Sequence, residues 1–235
     1  MRRVLLFDID GTLVHAGGAG RRSLERALAG HVGGLDGALA GRRLDGMTDR
    51  LIVREALAAL GRPFDDALCD RVLETYVGHL REEIRTPAYR VLPGVAELLD
   101  GLRRRGAAMG LCTGNVAEGA RIKLARGGLD AFFEWDSGAI GGFAADGEAR
   151  ERIVEAALRR ASARLGRPVA PADALVIGDT PRDVEAARSA GIPVLAVATG
   201  RYGVEELAAC GADRVAPSLE GPVAAALLAG WPGPA

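Results

Sequence analysis

The stretch RRVLLFDIDGTLVHAG, from Arg2 to Gly17, decides how the rest of the chain is read. Four apolar residues, Val4 to Phe7, run straight into Asp8, Ile9, Asp10, Gly11 and Thr12. An unbroken apolar run of this length suits a strand buried on both faces, as in a parallel sheet covered by helices. Three later runs have the same character. Ala108 to Cys112 ends at Thr113, Gly114 and Asn115; Ala174 to Ile177 ends at Gly178, Asp179 and Thr180; Pro193 to Val197 ends near Thr199 and Gly200. Helical segments lie between them. Pro93 to Gly106 opens with Pro and Gly and closes with basic residues and Gly, and Thr180 to Gly191 opens with an N-cap and a proline and stops at a glycine. The alternation predicts an α/β fold: a doubly wound, Rossmann-like, mainly parallel sheet.

One region breaks the alternation. Between Ala16 and Pro87 there is no convincing strand, only helical patterns over Ser23 to Leu28, Asp49 to Leu60 and Asp66 to Ile84. In the second, Leu51, Ile52, Ala56 and Leu60 form an amphipathic face. This predicts an all-helical insertion, residues 16–87, in a core made of residues 1–15 and 88–235. Its hinges are expected at Val14–Gly20 and Thr86–Arg90, where Gly and Pro collect. Gly17 to Ser23, GGAGRRS, lacks the lysine and spacing of a phosphate loop and reads as the hinge into the insertion. The tail WPGPA is expected to fray.

Composition narrows the function. The 235 residues are 49% hydrophobic, 26% charged and carry a net charge of -1, which fits a globular protein and gives no basic surface for nucleic acid or an anionic membrane. Cys69, Cys112 and Cys210 are odd in number and far apart, so they read as reduced thiols. Charge comes too early for a signal peptide and no apolar run approaches a membrane span, so a cytoplasmic protein is expected. His15, His31 and His79 show no ligand spacing.

In open α/β sheets ligands bind beyond the carboxyl ends of the strands. There this chain collects Asp8 and Asp10, then Thr113, Gly114 and Asn115, then Asp179, Thr180 and Asp183. Carboxylates converging on one edge repel one another unless a cation sits among them, and hard oxygen donors suit Mg²⁺. Asp8 and Asp10 stand two apart, which in a regular strand places both on one face. One can attack phosphorus while the other handles the proton. Gly11 permits a sharp turn close to a ligand. Thr113 and the first amides of the following helix can hold phosphate oxygens. Phosphoryl transfer also wants a fixed cation, for which Lys123 and Arg150 are the candidates.

These residues resemble the haloacid dehalogenase (HAD) superfamily. DIDGT is similar to its first motif, LCTGN to the second and VIGDTPRD to the fourth, in the family's order, and the helical region with GMTDRLIVREAL (Gly46 to Leu57) is similar to the C1 cap of phosphoglycolate-phosphatase-like members. The resemblance covers essentially the whole chain. It implies a Mg²⁺-dependent phosphomonoester hydrolase acting through an aspartyl-phosphate on a small phosphorylated metabolite, with phosphoglycolate first among the candidates. Asp8 is then the nucleophile. Asp10 is the general acid/base, and its backbone carbonyl meets the metal. Asp179 holds Mg²⁺, and Asp183 supports it directly or through water. Gly11, Thr12, Thr113, Gly114 and Asn115 form the phosphate pocket. The family's third motif, a Lys-Pro pair, is missing. Lys123 is preferred as its replacement. Arg150 is the nearest basic residue in position, either at the phosphate or as a structural or surface arginine. Thr48, Asp49 and Arg50 either face the substrate or begin a helix, with Thr48 or Asp49 as its cap. A phosphomutase of the β-phosphoglucomutase type, or a ligand-binding scaffold without turnover, are the alternative functions; monomer and homodimer are both open.

Overall fold

The computed structural model describes residues 3–33, 39 and 41–230. The expected frayed tail lies outside the described residues. The chain opens with β1 (Val4–Phe7) and β2 (Val14–His15), then runs through α1 (Ala19–Val32), α2 (Asp49–Ala59) and α3 (Asp66–Glu83) before β3 (Arg90–Val91). It continues as α4 (Val95–Arg104), β4 (Met109–Cys112), α5 (Ala117–Arg126), β5 (Gly141–Gly142), α6 (Arg150–Leu165), β6 (Ala174–Gly178), α7 (Pro181–Ser189), β7 (Val194–Val197), α8 (Val204–Ala209), β8 (Arg214–Ala216) and α9 (Gly221–Leu228).

Six strands form one sheet in the order β5-β4-β1-β6-β7-β8, every neighbouring pair parallel. The chain moves outward from β1 to β5 on one side, then restarts at β6 and moves outward on the other. The topological switch therefore falls between β1 and β6, where Phe7 pairs with Ile177. The apolar runs are continuous because the sheet is covered on both faces. Leu5, Phe7, Leu175 and Ile177 enter one hydrophobic layer; Val4, Leu6, Ala174 and Val176 enter the other.

Helices α1, α2 and α3 carry a third hydrophobic cluster of their own, in which Leu24, Leu28, Leu57, Leu80 and Tyr76 are at most 2% exposed. Burying each such leucine contributes roughly 1.5–3 kcal/mol, so the insertion is held by its own apolar contacts as well as by its seat on the sheet. Helix α2 is capped by the Thr48 hydroxyl, which accepts from Leu51 N at 3.1 Å. Helix α3 is capped by Asp65, which accepts from Ala67 N and Leu68 N.

Several boundaries differ from the sequence reading for identifiable reasons. Helix α1 begins at Ala19, four residues before the expected start, so the end of GGAGRRS is helical; Gly17 and Gly18, with φ of 60° and 79°, make the turn into it. The hinge segments are tied together, Val14 pairing with Val91 and His15 with Arg90 in an antiparallel ribbon. Strand β5 was not expected because it consists of two glycines. A Cβ on Gly142 would stand 2.0 Å from Ile153 O, so packing of α6 on this strand excludes the side chains that signal one. Among the described residues no helix is long and apolar enough to cross a membrane.

Candidate active site

Strand β1 ends at Phe7, so Asp8 and Asp10 stand in the turn beyond it, not in regular alternation along it. Gly11, at φ 86°, turns the chain back, with its N–H bonded to Val14 O at 2.9 Å. Both aspartates still line one cavity of about 540 Å³ between the sheet edge and the helical insertion.

The two carboxylates have separate cations. Arg150, 7% exposed at the start of α6, lies 2.8 Å from Asp8 Oδ1 through Nη2, and the same nitrogen pairs with Asp183. Its other arm donates to Gly46 O at 3.1 Å. Arg150 is thus no surface arginine. Lys123, 4% exposed on α5, donates to Asp10 Oδ2 and to Asn115 Oδ1, both at 2.6 Å. Asn115 Nδ2 donates to the same Asp10 oxygen at 2.9 Å and to Thr113 Oγ1 at 2.7 Å. Asp10 Oδ1 has no partner among the described residues.

A third pair completes the floor. Asp179, at the end of β6, accepts from the Thr12 hydroxyl at 3.1 Å, so Thr12 serves this carboxylate and does not line the cavity. Gly11 and Gly200 crowd the same carboxylate: a Cβ on either would fall within 2.2 Å of Asp179 Oδ2. Asp183 lies behind Arg150 and closes a capping box with Thr180 at the start of α7.

Asp8, Asp179 and Asp183 each bring one carboxylate oxygen to within 4.8 Å of the others. Burial pushes the Asp8 carboxyl up to about 7; the Arg150 guanidinium pulls it down, and Asp183 and Asp10 push it further up. Burial, then Asp8 and Asp183, hold the Asp179 carboxyl well above the usual carboxylate range, with the Thr12 hydroxyl acting the other way. Arg150 pairs directly with Asp8 and Asp183, whereas Asp179 feels that guanidinium only at a distance and has a hydroxyl as its direct partner. The cluster is one cation short, and its donors are all hard oxygens, the set that a hard divalent cation takes.

The helical insertion is seated on the sheet edge. Asp49 N donates to Gly114 O at 2.7 Å, and Asp49 Oδ2 accepts from Val116 N at 2.8 Å. Asp49 therefore caps α5, whose own N-cap residue Val116 has no suitable side chain. Not every amide at that helix start is open to a phosphate. Gly114 packs against the insertion, its absent Cβ only 2.4 Å from Met47 O. Arg54 of α2 pairs with Glu148 at 2.6 Å, and Thr48 Oγ1 donates to Glu148 O at 3.2 Å. Thr48 thus serves as a helix cap and insertion contact and does not line the cavity. Arg50 pairs with Asp66 and Asp70 on the outside of the insertion.

Thr199 and Gly200 received no role from the sequence. Thr199 Oγ1 donates to Gly11 O at 2.6 Å, fixing the turn after Asp10. The signal was present, since both end an apolar run, but a lone Thr-Gly there lacks a carboxylate to mark it.

The sequence profile of the haloacid dehalogenase-like hydrolases matches residues 2–191 of this chain. The phosphoglycolate phosphatase of Rhodospirillum rubrum is 35% identical over 218 residues, 90% of this chain and 86% of that protein. The phosphoglycolate phosphatase of Mesorhizobium japonicum is 30% identical over 203 residues, 85% of this chain and 84% of that one. In fold, the chain superposes on a CbbY variant from Rhodobacter sphaeroides, solved with xylulose-(1,5)-bisphosphate, with a TM-score of 0.69 over 95% of this chain and 99% of that one, at 18% identity. The chain belongs to the haloacid dehalogenase-like hydrolase family. Within it the chain is a hydrolase of the phosphatase kind, in the phosphoglycolate-phosphatase-like subgroup.

Proposed function

We propose that this phosphatase is Mg²⁺-dependent and works through an aspartyl-phosphate on Asp8, releasing phosphate from a small phosphorylated metabolite, with phosphoglycolate the leading candidate. The observation that carries the reading is the division of labour at the cavity floor. Asp8 is buried against Arg150, Asp10 is oriented by Lys123 and Asn115, and Asp179 is buried beside Asp8 and Asp183 with a hydroxyl as its partner.

The first half-reaction follows from these positions. An oxygen of Asp8 attacks phosphorus and the bond to the ester oxygen breaks. The leaving alkoxide takes a proton from Asp10, whose Oδ2 is fixed while Oδ1 is unbonded. In the second half Asp10 takes a proton from water, and that water's oxygen attacks the phosphorus of the acyl phosphate and frees Asp8. Thr113 and Gly114 line the cavity and would hold the phosphoryl oxygens. Asp8, Asp179 and the Asp10 carbonyl would hold Mg²⁺, with Asp183 supporting from behind Arg150. The ion would neutralise charge on the phosphoryl oxygens.

Residues 16–87 act in this reading as a cap over a core of 1–15 and 88–235. The Val14–His15 and Arg90–Val91 ribbon is the hinge region, and the Asp49, Arg54 and Arg150 contacts are made on closing. Arg42, Arg43, Arg90 and Arg201 around the cavity favour an anionic substrate. Three free cysteines, two of them buried, fit a reducing cytoplasm.

Borohydride quenching during turnover tests the intermediate. Reduction of an acyl phosphate should turn Asp8 into homoserine, readable by peptide mass spectrometry. An unmodified Asp8 peptide during steady turnover would exclude the covalent route.

A further inference from the structure

Two tyrosines stand beside Lys123, and they differ. Tyr89 donates its hydroxyl to Lys123 O at 2.9 Å. Tyr76, on α3, is 1% exposed and lines the catalytic cavity, yet its hydroxyl makes no hydrogen bond among the described residues. Its ring crosses from the insertion to the sheet side. A Cβ on Gly119 of α5 would lie 3.4 Å from the ring Cε1 and 3.5 Å from the hydroxyl. The Tyr76 hydroxyl and Lys123 Nζ both fall within 4 Å of the Cβ position of Gly20, at 3.9 and 3.3 Å.

The hydroxyl opens onto the cavity, and phenylalanine would fill nearly the same volume without it. Among the described residues, the helices around it offer the hydroxyl no partner. Of the cavity-lining residues on α1, α2 and α3, Leu24 and Ile52 are apolar, Arg21 is bonded to Glu25, and Asp49 to Val116. Among the described residues of these three helices, the Tyr76 hydroxyl is a cavity-facing donor without a bond. Burial, with Asp49 and Asp10 nearby, holds the phenol protonated, so it keeps an O–H to donate to an acceptor in the cavity.

We propose that Tyr76 determines specificity. Its hydroxyl donates a hydrogen bond to an oxygen that the substrate carries beyond its ester oxygen, so the preferred substrates are small phosphate monoesters bearing such an acceptor. The inference deepens the phosphatase reading and rests on it. A carboxylate and a hydroxyl share this acceptor chemistry, and the choice of substrates separates them.

The test compares the wild type with Tyr76→Phe on phosphoglycolate, glycerol 1-phosphate and ethyl phosphate, all with Mg²⁺, and follows thermal unfolding of both proteins. Tyr76→Phe should lower kcat/KM for one or both acceptor-bearing esters by about tenfold more than for ethyl phosphate. Whichever ester suffers identifies the acceptor. The melting temperature should stay level or rise, because no protein hydrogen bond is lost. Equal effects on all three esters, or a lowered melting temperature, would overturn the inference while leaving the phosphatase reading intact. A wild type that hydrolyses none of them would overturn both.

Discussion

Arg150 shows how a single side chain serves two carboxylates and a backbone oxygen at once. It is buried, its charge is shared between Asp8 and Asp183, and it also holds Gly46 O of the insertion. Removing one member of a buried ionic group leaves the others uncompensated. Arg150→Met should therefore cost about 3–5 kcal/mol of stability, measured by urea unfolding. Arg150→Lys should recover part of that stability but not the three contacts that the guanidinium makes at once. That Asp8, Asp10, Thr113 and Asp179 would meet at one edge of the sheet was legible in the sequence, because each follows an apolar run at the carboxyl end of a strand. Which carboxylate Lys123 and Arg150 would each meet was not legible. The two serve different carboxylates, and nothing in local spacing says which carboxylate a distant base will meet.

At the scale of elements, α2 and α5 are locked together at their N-termini by Asp49. Local sequence offers Thr48 and Asp49 as rival caps for one helix. The fold uses both, Thr48 on its own helix and Asp49 on a helix from the other side of the cavity. No pattern within one segment reveals a cap given across two. Burial pushes the Asp49 carboxyl up to about 6 from 3.8, with Lys123 and the Val116 N–H acting against it. Between those values the folded chain keeps a proton that the unfolded chain has lost. This group's contribution to stability therefore falls as pH rises from 3.8 to about 6. Asp49→Asn keeps an acceptor for Val116 N–H and should flatten that part of the curve, as read from urea unfolding at a series of pH values. Gly114→Ala tests the same junction sterically. Its Cβ would meet Met47 O at 2.4 Å, a backbone atom that cannot rotate away. The insertion should then seat imperfectly, lowering kcat/KM by about a hundredfold, since small misplacements at an active site have costs of that order.

Over the whole molecule, two hydrophobic layers fix the sheet and a third cluster fixes the helical insertion, leaving the charged cavity between them. The central strands and the helical break were readable from periodicity. The edge strands β5 and β8 were not, because one is a glycine pair packed under α6 and the other a short edge segment with a charged residue. The acidic cluster, one cation short, predicts that Mg²⁺ stabilises the folded chain, by about 2.7 kcal/mol at a hundredfold excess over Kd. Asp179→Asn should abolish most of that gain in a thermal melt. The most direct test of Asp8 as a Mg²⁺-dependent nucleophile is phosphate release from p-nitrophenyl phosphate by the wild type and Asp8→Asn in parallel, with Mg²⁺ and then with EDTA. Release is expected from the wild type with Mg²⁺, and none with EDTA or in the variant. Release by Asp8→Asn near the wild-type rate would contradict it, because Asp8 would then not be the nucleophile.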